Sequence, residues 1–466
     1  MEARTENPEM KRTSWHPLPV PASLPRVSLA LLVAASLLTA CSGDDDSSAD
    51  MPLTGSAYPA RGWPVIHHDS RNSDASDAPG PDDVYLSFHV LSGAPIAAGA
   101  TVGPEGNVYV GTGRALSEPV EGPCHLFALD GATGKQLWCS DLVNDHAITS
   151  SPTIDRDGNV YMGDNRAMHS FTREGVLRWS RPIEGFPLSS QFTPDGHLIF
   201  ITQIGRIYVL RRDTGTPVLE PVVLLPEVSY EPMPMDHLDC FVGSADSTCF
   251  CANTLSVDLE TGALYFTLTR PGDPQSLLVA MRYVGGESPR IEPLWENAVL
   301  EGGSASSPDI SVDGSRLYVN DQSNHLIAVE AETGGILWTF DLGFAPLGSP
   351  STSSTGVILP TGGVGAPLVA IRDSGDHAEL LWSRTDVESR GIAVQSGASR
   401  AYAAVATPGR LLGIRLLILD TETGATLDEE PISTTEFATV GTTLSEKGDV
   451  YVPGLFGGIW AFASGR

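Results

Sequence analysis

The chain has 466 residues, of which 18% are charged and 41% are hydrophobic, and it contains 48 glycines and 35 prolines. This composition is typical of a turn-rich globular protein that is long enough to bury a large core. Its net charge of −29 repels nucleic acid and anionic lipid headgroups, so we expect neither as a direct ligand.

The first forty residues have the layout of a secretion signal. Lys11, Arg12 and Arg26 precede an apolar run that is too short to span a bilayer as a helix. The run ends in Leu38-Thr39-Ala40-Cys41, which resembles the lipobox of bacterial lipoproteins, and the resemblance implies cleavage before Cys41 and attachment of a lipid to it. We therefore predict a signal peptide over 1–40. The protein is then lipid-anchored outside the cytoplasm, at the periplasmic face of the outer membrane or at the cell surface.

A short acidic stretch separates the lipidation site from the rest of the chain. Residues 41–60 include Asp44-Asp45-Asp46 and are low in complexity, which is typical of a solvated, flexible tether. We expect the folded body to cover 61–466.

Two cysteines of this body flank a predicted hairpin. Cys124 and Cys139 enclose two apolar runs joined by a Gly-rich turn, and export favours disulfides. The sequence therefore predicts a cross-strand disulfide between them.

The other three cysteines lie in or just after an irregular insertion at about 226–249. For Cys240, Cys249 and Cys251 we expect one disulfide pair and one leftover thiol, without a preferred pairing. Acidic residues and a histidine beside Cys240 offer a metal site as an alternative. Their spacing matches no zinc pattern, so we predict no metal there.

A repeat organises the body. Residues 150–163 and 306–319 both run from small residues through an Asp-Gly turn into an apolar strand, and a second strand, a Thr-Gly turn and a strand with tryptophan follow. The tryptophans that close successive units are Trp138, Trp179, Trp295, Trp338 and Trp382. A period near 40 residues with four strands per unit is the signature of a β-propeller.

The number of units predicts an all-β, eight-bladed propeller of four-stranded antiparallel blades, with seven blades as the alternative. The blades cover 94–142, 147–183, 188–225, 250–300, 302–343, 345–387, 390–432 and 437–464. The last blade has only three strand signals. Residues 83–90, ahead of the first blade, would supply its outer strand and close the ring without an open edge.

The repeat also carries a family resemblance. Residues 126–138 (LFALDGATGKQLW) resemble the repeat of PQQ-like, or quinoprotein-like, propellers, and residues 62–69 (GWPVIHHD) are similar to the segment that often opens such chains. The resemblance covers about 60–466 and implies the propeller fold. It says little about activity, because one fold hosts many functions.

One branch of this class implies an enzyme. Its quinone-dependent dehydrogenases hold PQQ and calcium in the axial channel beneath two adjacent cysteines, and the nearest approach here is Cys249-Phe250-Cys251. No calcium ligand set and no catalytic residue can be assigned. A quinone-dependent oxidoreductase, or another enzyme that uses the channel mouth, therefore remains the alternative.

A second branch implies a scaffold. The chain is similar to the propeller lipoproteins of the outer-membrane β-barrel assembly machinery in its lipobox and its eight predicted blades. That resemblance implies binding of an envelope protein without catalysis. We expect this function, with no cofactor, and a small ligand as a further possibility.

Polar residues at the ends of second strands should face one mouth of the channel. The ligand-binding candidates are Asp164, Asn165, Arg166, Gln203, Asn320, Asp321 and Gln322, and solvated loop residues are the alternative interpretation. His67-His68-Asp69 could form a metal or acid–base cluster, but we favour a role in fixing the leading segment.

Overall fold

Strands and tight turns make up the described part of the chain. A computed structural model describes residues 56–113, 123–145, 149–229, 249–251, 254–360, 362–363 and 365–465. These residues form 33 β-strands and no α-helix. None of them belongs to a helix long and apolar enough to cross a membrane.

The strands are grouped in chain order into blades. The two strands that precede blade 1 are β1 (Ala75–Ser76) and β2 (Val84–Val90). Blade 1 consists of β3 (Thr101–Val102), β4 (Val108–Gly111), β5 (Leu126–Leu129) and β6 (Gln136–Ser140). Blade 2 consists of β7 (Thr153–Ile154), β8 (Val160–Gly163), β9 (Ala167–Phe171) and β10 (Leu177–Pro182). Blade 3 consists of β11 (Gln191–Phe192), β12 (Leu198–Ile201), β13 (Arg206–Leu210) and β14 (Val222–Val223). Blade 4 consists of β15 (Ser256–Val257), β16 (Ala263–Thr269), β17 (Gln275–Val284) and β18 (Arg290–Glu301).

The second half of the ring repeats this order. Blade 5 consists of β19 (Asp309–Ile310), β20 (Arg316–Asn320), β21 (His325–Glu330) and β22 (Ile336–Asp341). Blade 6 consists of β23 (Ser351–Thr352), β24 (Val357–Leu359), β25 (Leu368–Asp373) and β26 (Ala378–Arg384). Blade 7 consists of β27 (Val394–Ser396), β28 (Arg400–Ala406), β29 (Ile414–Asp420) and β30 (Thr426–Ser433). Blade 8 consists of β31 (Thr443–Leu444), β32 (Val450–Gly454), β33 (Gly458–Ser464) and, as its outermost strand, β2.

The ring closes as the sequence predicts. Strand β2 pairs antiparallel with β33, with Val84 opposite Ser464 and Val90 opposite Ile459. The predicted eight blades and their closure by an N-terminal strand are thus confirmed. Strand β1 adds a parallel fifth strand to blade 7, beside β27.

The hydrophobic core lies between neighbouring blades. One buried cluster joins blades 7, 8 and 1 and includes Phe127, Tyr402 and Phe462, and another joins blades 3 and 4 around Phe266. Fully burying a side chain of this size contributes roughly 1.5–3 kcal/mol. Stability is therefore distributed around the ring.

The repeating tryptophans join blades 1, 2, 4, 5 and 6 each to the following blade. Trp138 donates its indole N–H to the carbonyl of Arg173 at 2.7 Å, and its ring lies against Gly175, where an added Cβ would collide with it. The same arrangement recurs at Trp179, Trp295 and Trp382. The Thr-Gly turn of the repeat needs glycine both for its positive φ and for this contact.

Cysteine pairing follows the prediction in part. Cys124 and Cys139 form the cross-strand disulfide. Cys249 is also disulfide-bonded, to a residue outside the described part of the chain. Cys251 is a free, buried thiol, so its place among the disulfide candidates is corrected: it packs into the apolar cluster between blades 3 and 4 and is the leftover thiol.

Several predicted features lie outside the described residues. They are the signal peptide over 1–40, the lipidation site Cys41, most of the tether over 41–60, Cys240 and most of the insertion over 226–249.

Candidate functional site

The antiparallel blades give the ring two different faces. On the closure face, each innermost strand ends and turns into the second strand, as at residues 155–159. On the loop face, the second strand turns into the third, and the connections between blades also lie there. Polar groups on the two faces have different roles.

Residues 62–76, the axial segment, cross the closure face along the innermost strands. Their carbonyl groups accept backbone N–H groups from six blades, with N···O distances of 2.7–3.0 Å. The donors are Val102, Ile154, Val257, Ile310, Thr352 and Gln395. Blade 3 adds a bond from the Gln191 side chain to the Asp69 carbonyl, and blade 8 adds one from Gly62 N to the Glu446 carboxylate. The chain's own backbone therefore joins all eight blades at this face.

Buried side chains fix the axial segment. His67 is fully buried, with its Nδ1 2.7 Å from Asp74 Oδ2 and its Nε2 3.1 Å from Ser307 Oγ. Asn72 donates through Nδ2 to the carbonyls of Thr254 and Pro308. Within the described residues, His67 has the anchoring role that we favoured from the sequence.

One buried group beside the axial segment is poorly satisfied. Asp309 is completely buried, and neither of its carboxylate oxygens makes a well-formed hydrogen bond to a described residue. Burial raises the pKa of Asp309 well above its usual range, the Thr352 hydroxyl lowers it, and the charges of Asp69 and Asp74 raise it further. Burial at this position therefore favours the uncharged form of the Asp309 carboxyl group.

The residues around the axis do not fit a quinone with calcium. The axial segment occupies the closure-face end of the axis, and its polar groups bind the blades. Among the described residues, no three His, Cys, Asp or Glu side chains are placed to hold a metal ion. The chain also has no pair of adjacent cysteines. We therefore derive no reaction step through such a group.

The predicted ligand-binding residues lie on the loop face, in blades 2, 3 and 5. Asp164 accepts the backbone N–H groups of Arg166 and Ala167, and Asp321 accepts those of Ser323 and His325. Each of these carboxylates stabilises its own turn.

The amide side chains among these candidates hold neighbouring loops. Asn320 and Gln322 donate to the carbonyls of Gly348 and Pro346, each at 2.8 Å. Gln203 accepts from Phe186 N at 2.7 Å, and Asn165 accepts from the Asn144 side chain. Of the seven candidates, Arg166 alone is classed as exposed. The structure does not gather them into one site.

A different set of loop-face residues stands out. Leu411 and Leu412 are 77% and 47% exposed in the second turn of blade 7, and Phe456 is 52% exposed in that of blade 8. Half-buried Phe437 lies in the connection between these blades, with the Arg390 guanidinium 4.6 Å from its ring centre. We call Leu411, Leu412, Phe437 and Phe456 the apolar loop residues.

Glu436 holds these three loops together. Its carbonyl accepts Gly413 N at 2.8 Å, and its buried carboxylate accepts Phe456 N at 3.2 Å and Phe437 N at 3.4 Å. Burial raises the pKa of Glu436, while these backbone donors lower it. The sequence analysis missed this group, although two adjacent leucines directly after Pro-Gly-Arg in a turn were a usable signal.

Known proteins resemble this chain along most of its length. The sequence profile of the family described as outer membrane protein assembly factor BamB (PQQ_2) matches residues 87–290 and 288–466. Protein Rv3035 of Mycobacterium tuberculosis is 28% identical over 410 residues, which cover 87% of this chain and 97% of that protein. The assembly factor BamB of Yersinia pestis is 24% identical over 244 residues, or 46% of this chain and 60% of that protein.

Solved structures share the fold. The quinohemoprotein alcohol dehydrogenase of Comamonas testosteroni has a TM-score of 0.62 at 14% identity, covering 88% of this chain and 82% of its own. BamB of Moraxella catarrhalis has a TM-score of 0.53 at 16% identity, covering 82% and 100%. At these identities the likeness concerns architecture alone. The profile match spans most of the chain, and the chain belongs to the BamB (PQQ_2) family of outer membrane protein assembly factors.

Proposed function

We propose that this protein is a non-catalytic scaffold of the cell envelope, tethered outside the cytoplasm by a lipid on Cys41, that binds a protein partner through its loop face. The observation that carries the proposal is the convergence of three loops on Glu436, which leaves Leu411, Leu412 and Phe456 exposed. Clustered apolar side chains on an otherwise polar surface are typical of protein interaction sites.

The family supports the kind of partner. The relative from Yersinia pestis is named an outer membrane protein assembly factor, and this name assigns that relative to protein assembly. We carry this over to the chain as a proposal: the partner is an envelope protein of an assembly complex.

The chemistry of the loops suits such a contact. Aromatic and apolar side chains that leave water on binding contribute most of the affinity of protein interfaces. Glu436 is a positioning residue, because its carboxylate fixes the loop backbone from below the surface. The exposed Arg410 places positive charge beside the apolar loop residues in an otherwise acidic protein, whereas the buried Arg390 is paired with Glu388.

A pair of matched variants tests the proposal. Leu411→Ser with Leu412→Ser removes the exposed leucines of the blade 7 turn, and Val176→Ser with Leu177→Ser removes an equally adjacent apolar pair, 63% and 42% exposed, from blade 2. The full lipoprotein is extracted from the envelope of cells that produce it, and the mass of its complex is measured by light scattering.

We expect the wild type and the blade 2 variant to elute with the same partner, and the loop-face variant to elute as a monomer. Each truncated hot-spot residue should weaken the complex by about 2 kcal/mol. Retention of the partner by both variants contradicts the proposal.

The alternative function, a quinone-dependent oxidoreductase, draws its support from the architecture shared with the alcohol dehydrogenase. Calorimetric titration of the protein with PQQ in calcium-containing buffer, followed by an assay of dye-linked alcohol and aldose oxidation, tests it. We expect no saturable binding and no turnover, and observing both would replace the scaffold proposal.

A further inference from the structure

A cleft of about 720 Å³ lies at the closure face between blades 4 and 5, and Ser70 and Arg71 of the axial segment form part of its lining. Its apolar lining includes Leu259, Leu294 and Val312. Val312 is 55% exposed and Leu294 is 37% exposed. Neither belongs to the buried core, so the packing of the core does not require an apolar residue at either position.

The apolar turn residues are peculiar to these two blades. Leu259 and Val312 occupy the second position after the innermost strand of blades 4 and 5. The same position in the other six blades holds Pro104, Arg156, Pro194, Ser354, Ala398 and Glu446, none of which is a large aliphatic residue. The turn therefore does not require an apolar residue, and two neighbouring blades expose one into the same cleft.

Charge surrounds this apolar wall. The carboxylates that line the cleft are Asp258, Glu260, Asp313, Glu330 and Glu332. Asp258, Asp313 and Glu330 accept hydrogen bonds within their own turns, from Thr261, Ser315 and Thr333. Glu260 and Glu332 make no such bond to a described residue, and none of the five carboxylates forms a salt bridge with a described arginine or lysine. Of the two arginines in the lining, Arg71 is already bound to Asp69, and Arg282 stands alone against the five acids.

We propose that this cleft binds a basic polypeptide segment of a partner protein, with an apolar side chain against Val312 and Leu294 and lysine or arginine side chains at the carboxylates. Charge complementarity selects this occupant. A second copy of the chain would bring a net charge of −29, and the chain's own tether is acidic, so both are repelled.

Smaller or more acidic ligands fit less well. A nucleic acid is a polyanion and is repelled by the same carboxylates. The described residues include no three-ligand metal group, and a free polyamine has no bulky apolar side chain to place against Val312 and Leu294. The inference is separate from the loop-face proposal because the two surfaces lie on opposite faces and share no residue.

The test uses the full-length lipoprotein in neutral detergent and a capped peptide, Lys-Leu-Lys-Leu-Lys, that is too short to form an amphipathic helix. Binding is measured by calorimetry at low salt, and two further peptides replace lysine with glutamate or leucine with serine. We expect one peptide bound per chain, roughly five-fold weaker binding of the serine peptide, and no binding of the glutamate peptide.

Matched charge variants separate this site from diffuse attraction. Glu260→Gln with Glu332→Gln removes two cleft charges, and Glu220→Gln with Glu227→Gln removes two exposed carboxylates on either side of the outermost strand of blade 3. We expect the cleft variant to bind about five-fold more weakly and the control to change less than about two-fold.

The apolar wall has its own variant. Val312→Ser should weaken binding of the leucine peptide roughly three-fold and leave binding of the serine peptide unchanged. Equal weakening by both charge variants, or no saturable binding to the wild type, overturns the proposal. Neither result bears on the loop-face variants, which are read out through the mass of the envelope complex.

Discussion

The axis at the closure face and the loops of blades 7 and 8 use polar residues in opposite ways. At the axis, His67 and Asn72 are fully buried, and their side chains bond to the chain itself. At the loops, buried Glu436 bonds to backbone so that leucine and phenylalanine side chains remain exposed. The comparison indicates that the first region holds the ring together and the second is available to a partner.

The largest expected effect comes from an amide side chain at the axis, compared with one on the loop face of blade 5. Asn72→Leu removes the buried hydrogen bonds from Asn72 to the carbonyls of Thr254 and Pro308 and the bond that Asn72 accepts from the Gln191 amide. We expect a loss of about 3–5 kcal/mol in the free energy of unfolding, measured by urea denaturation. Gln322→Leu on the loop face loses one bond to Pro346 and should cost about 1 kcal/mol. Equal losses would remove the distinction between the regions.

Two glycines test how much the tryptophan contacts between blades contribute to the free energy of unfolding. Gly334 and Gly314 have φ values of 75° and 73°, but a Cβ at Gly334 would collide with Trp295, and one at Gly314 meets nothing within 4 Å. Both alanine variants bear the left-handed backbone penalty of about 1–2 kcal/mol. Gly334→Ala should cost about 1–3 kcal/mol more, by thermal and urea unfolding. A similar cost for both would show that the tryptophan contacts tolerate displacement.

Asp309 gives the axis a pH dependence. Because burial raises the pKa of Asp309, its protonated carboxyl group contributes to the free energy of unfolding. This contribution is fully present below the pKa of an unfolded aspartate and is lost as the pH rises toward the pKa in the folded protein. Thr153 and Thr443 occupy the equivalent strand position in blades 2 and 8. We expect Asp309→Thr to gain about 1–3 kcal/mol over the wild type at pH 8 and less at pH 5. A constant difference across this range would show that Asp309 does not titrate there.

The smallest expected effect concerns the exposed candidate on the loop face. Arg166→Ala should change the free energy of unfolding by less than about 0.5 kcal/mol, because the side chain is exposed. It should also leave the mass of the envelope complex unchanged. Loss of the partner from this variant would move the docking surface from blades 7 and 8 toward blade 2.

The fold could be predicted because its determinants are local. Asp-Gly and Thr-Gly turns, strand-length apolar runs and recurring tryptophans specify each blade, and the missing fourth strand of blade 8 pointed to residues 83–90. The path of the axial segment could not be predicted, since its bonds join residues far apart in sequence, such as Asn72 and Pro308.

The candidate functional site was harder to predict from the sequence for a related reason. An aspartate at a strand end, such as Asp164, has the same sequence pattern whether it binds a ligand or caps its own turn. The turn residues before Leu411 and Leu412 indicate exposed leucines, but the bonds of Gly413 and Phe456 to Glu436 join different blades and could not be predicted. The free thiol of Cys251 likewise depends on which cysteine reaches Cys249.

The most direct test of the scaffold account is photo-crosslinking in living cells from single positions of the full lipoprotein. A photoreactive residue replaces Leu411 or Phe456 on the loop face, and a third variant carries it at Leu177 on blade 2 as the control. The account predicts one discrete adduct with the same envelope protein from the first two positions and none from the control. Equal adducts from all three positions, or none from the loop face, would contradict it.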